Sequence, residues 1–133
     1  MACSQPSPSC AQRDLVASRS GLWLWGLPAG LLILGVLWGN ARAPLWSVAF
    51  LVGGAACVAN AARCGRAHCY LTGPLYLVLS AVSALIGLRA VSWTWWWVGA
   101  TFLIGTLLAY VTEFMGKRYV HDSSSRGGGP VCG

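Results

Sequence analysis

Apolar residues in this chain gather into four long runs, and the polar and charged residues fall into the gaps between them. The first run, residues 21–39, holds 19 residues without a charge. Asn40, Ala41 and Arg42 interrupt the pattern, and Pro44 suits the first turn of a new helix because its missing N–H would be unpaired there anyway. A second run covers about 43–62, a third 71–88 and a fourth 92–112. Each helix gains about 1.5 Å per residue, so about 20 apolar residues cross a hydrocarbon core of about 30 Å. The expected fold class is therefore all-α, an integral membrane bundle of four transmembrane helices.

Flanking segments read differently. Residues 1–20, with Pro6, Pro8, Arg13, Asp14 and Arg19, lack a sustained apolar period and are expected to be a flexible tail. Residues 113–133 form a second tail, flexible toward its Ser- and Gly-rich end. The first run is too long for the core of a cleavable signal peptide, and none is expected. Cys132 does not stand four residues from the last residue, so prenylation is not expected.

Composition sharpens the choice of solvent. The chain is 56% hydrophobic and 9% charged, against roughly 25% charged in soluble proteins. Its net charge of +6 comes from nine scattered Lys and Arg residues, which do not make the dense basic stripe of a nucleic-acid binder. No nucleic-acid partner is expected; the partner is the lipid bilayer. Six cysteines are present, but Cys57 lies inside an apolar run and the terminal ones are isolated, which does not suit a secreted disulfide scaffold.

Charge also predicts orientation. With four spans, both tails and the central gap share one side, which carries Arg13, Arg19, Arg63, Arg66, Lys117, Arg118 and Arg126; Arg42 and Arg89 lie opposite. Basic residues resist translocation, so both termini are expected in the cytoplasm of a plasma (inner) membrane multi-pass protein. Trp38, Trp46, Trp93, Trp95, Trp96 and Trp97 then fall at the outer interface and Trp23 and Trp25 near the inner one, as interfacial anchors. Small residues recur at four-residue spacing, Ala49 with Gly53 and Cys57, Gly26 with Gly30, and Gly35 with Gly39. These faces are expected to meet other helices, and they offer a route to a homo-oligomer.

Reactive side chains concentrate in residues 57–74, C-V-A-N-A-A-R-C-G-R-A-H-C-Y-L-T-G-P. Continued as a helix, span two would place Cys57, Asn60, Cys64 and His68 near one face, with Cys64 and His68 one turn apart. A thiolate and an imidazole suit Zn, Cu or Hg far better than Mg or Ca. The chain is expected to bind or transport such an ion through a cytosolic loop, with Cys64, His68 and Cys69 as candidate ligands, Cys57 as an inner relay and Glu113 as a further ligand from span four. Thr72 is expected to cap span three and Pro74 to start it. The C-x4-C spacing around one His matches no standard zinc finger. Two other readings stand beside the metal site: cysteines without chemistry in a structural or accessory membrane protein, and thiol-redox exchange between Cys64 and Cys69. No catalytic motif is present, and no enzyme activity is expected.

The string N-A-A-R-C-G-R-A-H-C-Y-L-T-G-P over residues 60–74 resembles the signature loop of a group of small uncharacterised bacterial membrane proteins with four predicted helices. The resemblance covers the loop, its flanking spans and, more loosely, E-F-M-G-K-R-Y at 113–119; it implies the four-span fold and no particular activity. A looser similarity is to the small mercury-uptake proteins of bacterial mercury resistance, which combine few spans with cysteine pairs. This chain lacks the closely spaced thiol pair in span one that those proteins carry. R-A-H at 66–68 is similar to one motif of the glutathione-using four-span membrane enzymes, but the residues that follow do not match.

Overall fold

The computed structural model describes residues 19–64 and 67–115, apart from the side chains of Arg19, Ser20, Cys64 and Glu113. Among the described residues the regular structure is helical: α1 (Arg19–Leu37), a 3-10 turn (Gly39–Ala41), α2 (Arg42–Cys64), α3 (Ala67–Gly87) and α4 (Trp95–Met115). Three segments, Gly39–Arg63, Ala67–Gly87 and Trp95–Thr112, are long and apolar enough to cross a membrane. The apolar part of α1, Gly21–Leu37, is shorter. The two tails, expected to be flexible, lie outside the described residues.

The α2–α3 pair is the centre of the molecule, with α1 packed on α2 and α4 on α3. Its sequence explains why. On α2 the buried positions Trp46, Ala49, Phe50, Gly53, Gly54, Ala56, Cys57, Asn60 and Ala61 recur every three or four residues, and small side chains dominate them. On α3 the matching face is His68, Cys69, Thr72, Gly73, Tyr76, Leu79, Ser80 and Ser83. A Cβ on Gly73 would stand 3.3 Å from the Val58 backbone nitrogen, which measures how closely the two backbones approach. Lipid gives no hydrophobic drive for helix association, so close packing and interhelical hydrogen bonds must hold such a pair. Ser47 and Ser80 supply two: Ser80 Oγ donates to the Ser47 carbonyl at 2.8 Å, and Ser47 Oγ to the Ser80 carbonyl at 3.2 Å.

Toward the α1–α2 and α3–α4 connections the core becomes aromatic. Trp46, Phe50, Tyr76, Leu79 and Val98 are buried together, with Leu32, Trp95 and Phe102 against them. Trp46 meets Phe50 and Trp95 edge-on at ring separations of 6.0 and 5.7 Å, the arrangement the ring quadrupole favours. Trp46 Nε1 also donates to the Leu32 carbonyl at 3.0 Å. Of the tryptophans expected as interfacial anchors, then, Trp46 is a core residue, whereas Trp23, Trp38, Trp93, Trp96 and Trp97 are exposed.

Connections follow from local chemistry. Arg42 reaches back from α2 to the end of α1, donating from Nε to the Gly35 carbonyl at 3.0 Å and from Nη2 to the Val36 carbonyl at 3.4 Å. These are terminal carbonyls that α1 itself cannot satisfy. The guanidinium also lies 5.9 Å from the ring centres of both Trp46 and Trp95. Helix α3 ends in a Schellman motif: Ala90 N–H donates to the Leu85 carbonyl and Arg89 N–H to the Ile86 carbonyl, with Arg89 at φ 57°.

Two expectations about the centre of the chain are corrected. Span two does not continue as one helix through His68; α2 is described to Cys64, and His68 sits in the first turn of α3, which starts at Ala67. Gly73 and Pro74 lie inside α3 rather than ahead of it, and Thr72 does not cap a helix. Its Oγ1 donates to the His68 carbonyl at 2.9 Å, one turn back within the same helix.

Candidate thiol site between α2 and α3

The last two turns of α2 and the first two of α3 enclose a cluster of polar side chains at the close helix crossing. Cys57 and Asn60 come from α2, each 1% exposed; His68, Cys69 and Thr72 come from α3 at 3%, 0% and 2%. Small neighbours make the enclosure possible. Ala61 completes the apolar lining with the two cysteines, and Trp25 of α1 packs over them.

Both thiols are free, and the two residues pack together across the helix pair. Each sulfur also has a polar partner. Asn60 Nδ2 donates to Cys69 Sγ at 3.7 Å, and Thr72 Oγ1 donates to Cys57 Sγ at 3.4 Å. Thr72 has one hydroxyl proton and two acceptors, the Cys57 sulfur and the His68 carbonyl, so these two bonds share it. His68 Nε2 lies 3.3 Å from Cys69 Sγ, and its ring stacks on Tyr110 of α4 at 5.0 Å and 16°. The α4 contact fixes the imidazole plane beside the sulfur.

Chemically the arrangement is a dithiol with an imidazole at one end and amide and hydroxyl donors aimed at its sulfurs. Deprotonated, two such sulfurs bind soft metals and act as nucleophiles. Among the described residues, no set of three or more His, Cys, Asp and Glu side chains is placed to hold a metal ion together. What the helices bring together is the pair of sulfurs. Cavities of about 370 Å³ beside Ser92, Trp93 and Thr101, and about 440 Å³ beside Leu22, Trp23 and Leu27, are lined by none of these site residues.

Of the ligands expected from sequence, His68, Cys69 and Cys57 lie in one cluster. The side chains of Cys64 and Glu113 fall outside the described residues, and Cys64 ends α2 on the same side of the helix pair. Cys57, expected as an inner relay, supplies one of the two sulfurs at the centre. Asn60 lies on the face of Cys57, as its i, i+3 spacing predicts, and bonds the sulfur of Cys69. Thr72 is signalled only by its i, i+4 spacing from His68, and Tyr110 and Trp25 come from remote spans and carry no such signal. Compared with known proteins, the chain matches no family model, no curated protein and no solved structure.

Proposed function

We propose that this is a multi-pass membrane protein whose working part is a two-sulfur site for a thiophilic metal ion, formed by Cys57 and Cys69 with His68 beside them. The observation that carries the reading is the pairing of two free, fully enclosed thiols from different helices, each accepting a hydrogen bond from a neutral donor. Polar and ionisable groups inside a bilayer are costly and mark function by default. Two thiolates suit an ion that accepts two soft ligands, such as Cu(I) or Hg(II), whereas structural Zn calls for four donors. A zinc site would need Cys64 or Glu113 to join.

In this proposal α1 is the fourth span. Its apolar part covers 17 residues, about 25 Å at 1.5 Å per residue, and mild thinning of the bilayer or snorkelling of flanking residues covers the remainder. Both tails face the cytoplasm of the plasma membrane because seven of the nine basic residues then stay inside. The site accordingly lies toward the cytoplasmic face. The matching assembly is a homo-oligomer joined through Gly26 and Gly30, where the space for a side chain is open.

The test is Cu(I) and Hg(II) stoichiometry of the purified protein in detergent. One ion per chain is expected, lost in Cys57→Ser/Cys69→Ser and retained in Cys64→Ser. Equal stoichiometry in the wild type and the Cys57/Cys69 double variant refutes the site. Loss in Cys64→Ser alone would move the ligand set back to the residue pair 64 and 69.

A further inference from the structure

We infer that Cys57 and Cys69 also form a dithiol that passes two electrons to a lipid-soluble quinone, becoming an α2–α3 disulfide. The inference uses the same sulfur pair as the proposed metal site but does not require a metal to bind there.

Three observations point to it. First, the two free thiols belong to residues packed together across neighbouring helices, a contact that a disulfide requires. Second, both sulfurs belong to residues no more than 1% exposed, inside helices long and apolar enough to cross a membrane. Burial there disfavours a charged, water-borne disulfide more than an apolar oxidant dissolved in the bilayer, because the charged one must also be desolvated. Third, Trp25 packs over the pair, and its indole N–H is buried with no acceptor among the described residues. A buried donor without an acceptor is a disfavoured arrangement. A quinone oxygen would satisfy it, and the same N–H would stabilise the negative charge that grows on that oxygen during reduction.

His68 completes the chemistry. With Nδ1 carrying the ring proton, Nε2 accepts the Cys69 proton across 3.3 Å. Overall, the two S–H bonds break and one S–S bond forms. The two electrons and two protons released by the thiols go to the two quinone oxygens, giving a hydroquinone. The sulfurs are oxidised and the quinone is reduced, so no other reactant is needed.

The experiment uses the full chain, reduced, in detergent, with a short-chain benzoquinone. One hydroquinone per chain is expected, together with a Cys57–Cys69 linked peptide in mass spectra taken without reductant. Absence of hydroquinone, or a link between other cysteines, overturns the inference. Trp25→Phe should slow oxidation by the quinone about tenfold, the worth of one good hydrogen bond in a transition state, and leave oxidation by diamide unchanged. Equal slowing with both oxidants overturns the part given to Trp25. Oxidation by glutathione disulfide as fast as by the quinone overturns the choice of oxidant. Metal uptake measured on the same preparation separates the two proposals: Cu(I) binding without quinone reduction removes only the redox inference, and quinone reduction without Cu(I) binding removes only the metal site.

Discussion

Replacing Gly73 by alanine tests the link between helix packing and the thiol pair. A Cβ at this position would stand 2.9 Å from Val58 Cγ2, 3.3 Å from the Val58 backbone nitrogen and 3.6 Å from Cys57 Cβ. Val58 is 43% exposed and can swing its methyl aside, but the backbone nitrogen belongs to the α2 helix and cannot. The helices must therefore part by a few tenths of an ångström at the turn that carries Cys57. Overpacking of this kind costs about 1–3 kcal/mol, which is roughly 5- to 140-fold in the equilibrium between packed and separated helices. Unfolding in mixed micelles with increasing dodecyl sulfate, followed by tryptophan fluorescence, reads the stability. Yield of the Cys57–Cys69 link under a fixed dose of diamide reads the sulfur geometry. Both should fall in Gly73→Ala. Gly99→Ala is the control, because a Cβ there lies 3.8 Å from Trp46 Cη2, an ordinary van der Waals contact, and both readouts should match the wild type. Wild-type stability and link yield in Gly73→Ala would refute the close crossing of α2 and α3.

Three further substitutions test separate features. Ser83 is fully buried and its hydroxyl has no partner among the described residues, so Ser83→Ala should raise the unfolding midpoint, by about 1 kcal/mol; a lower midpoint would mean that the hydroxyl is bonded. Arg42→Ala removes both bonds to the end of α1 and the contacts with Trp46 and Trp95, and should destabilise the bundle by about 1–3 kcal/mol. Arg42→Lys should restore only part of that loss, since an ammonium lacks the planar fork; full rescue would reduce the role of Arg42 to charge. Thr72→Val keeps the shape and removes the donor to Cys57 Sγ, so Cu(I) affinity should weaken by roughly 2- to 10-fold, whereas unchanged affinity would separate Thr72 from the site.

Much of the fold was legible because it is local. A continuous apolar run satisfies its own peptide groups as a helix wherever water is absent, so residues 43–62 and 92–112 could be placed within a few residues of α2 and α4 without knowing what lies beside them. Boundaries failed where local signals compete with packing. Gly73-Pro74 reads as a helix start, yet α3 begins at Ala67, because the turn carrying His68 and Cys69 gains buried contacts with α2 and α4. The candidate site shows the same division. Its residue types and its neighbourhood at the end of span two could be read, but the pairing could not.

From the sequence alone follow the helical class, the approximate limits of the apolar segments, and the presence of thiols and an imidazole near one end of them, since each depends on the order of residues along one helix. Tertiary structure decided that Cys57 faces Cys69, that Trp46 joins the core, and that Trp25 covers the sulfurs. Periodicity reveals which face of a helix is buried; what stands opposite depends on the depth and register of the crossing, set here by Gly53, Gly54 and Gly73 together, and no single segment contains that information.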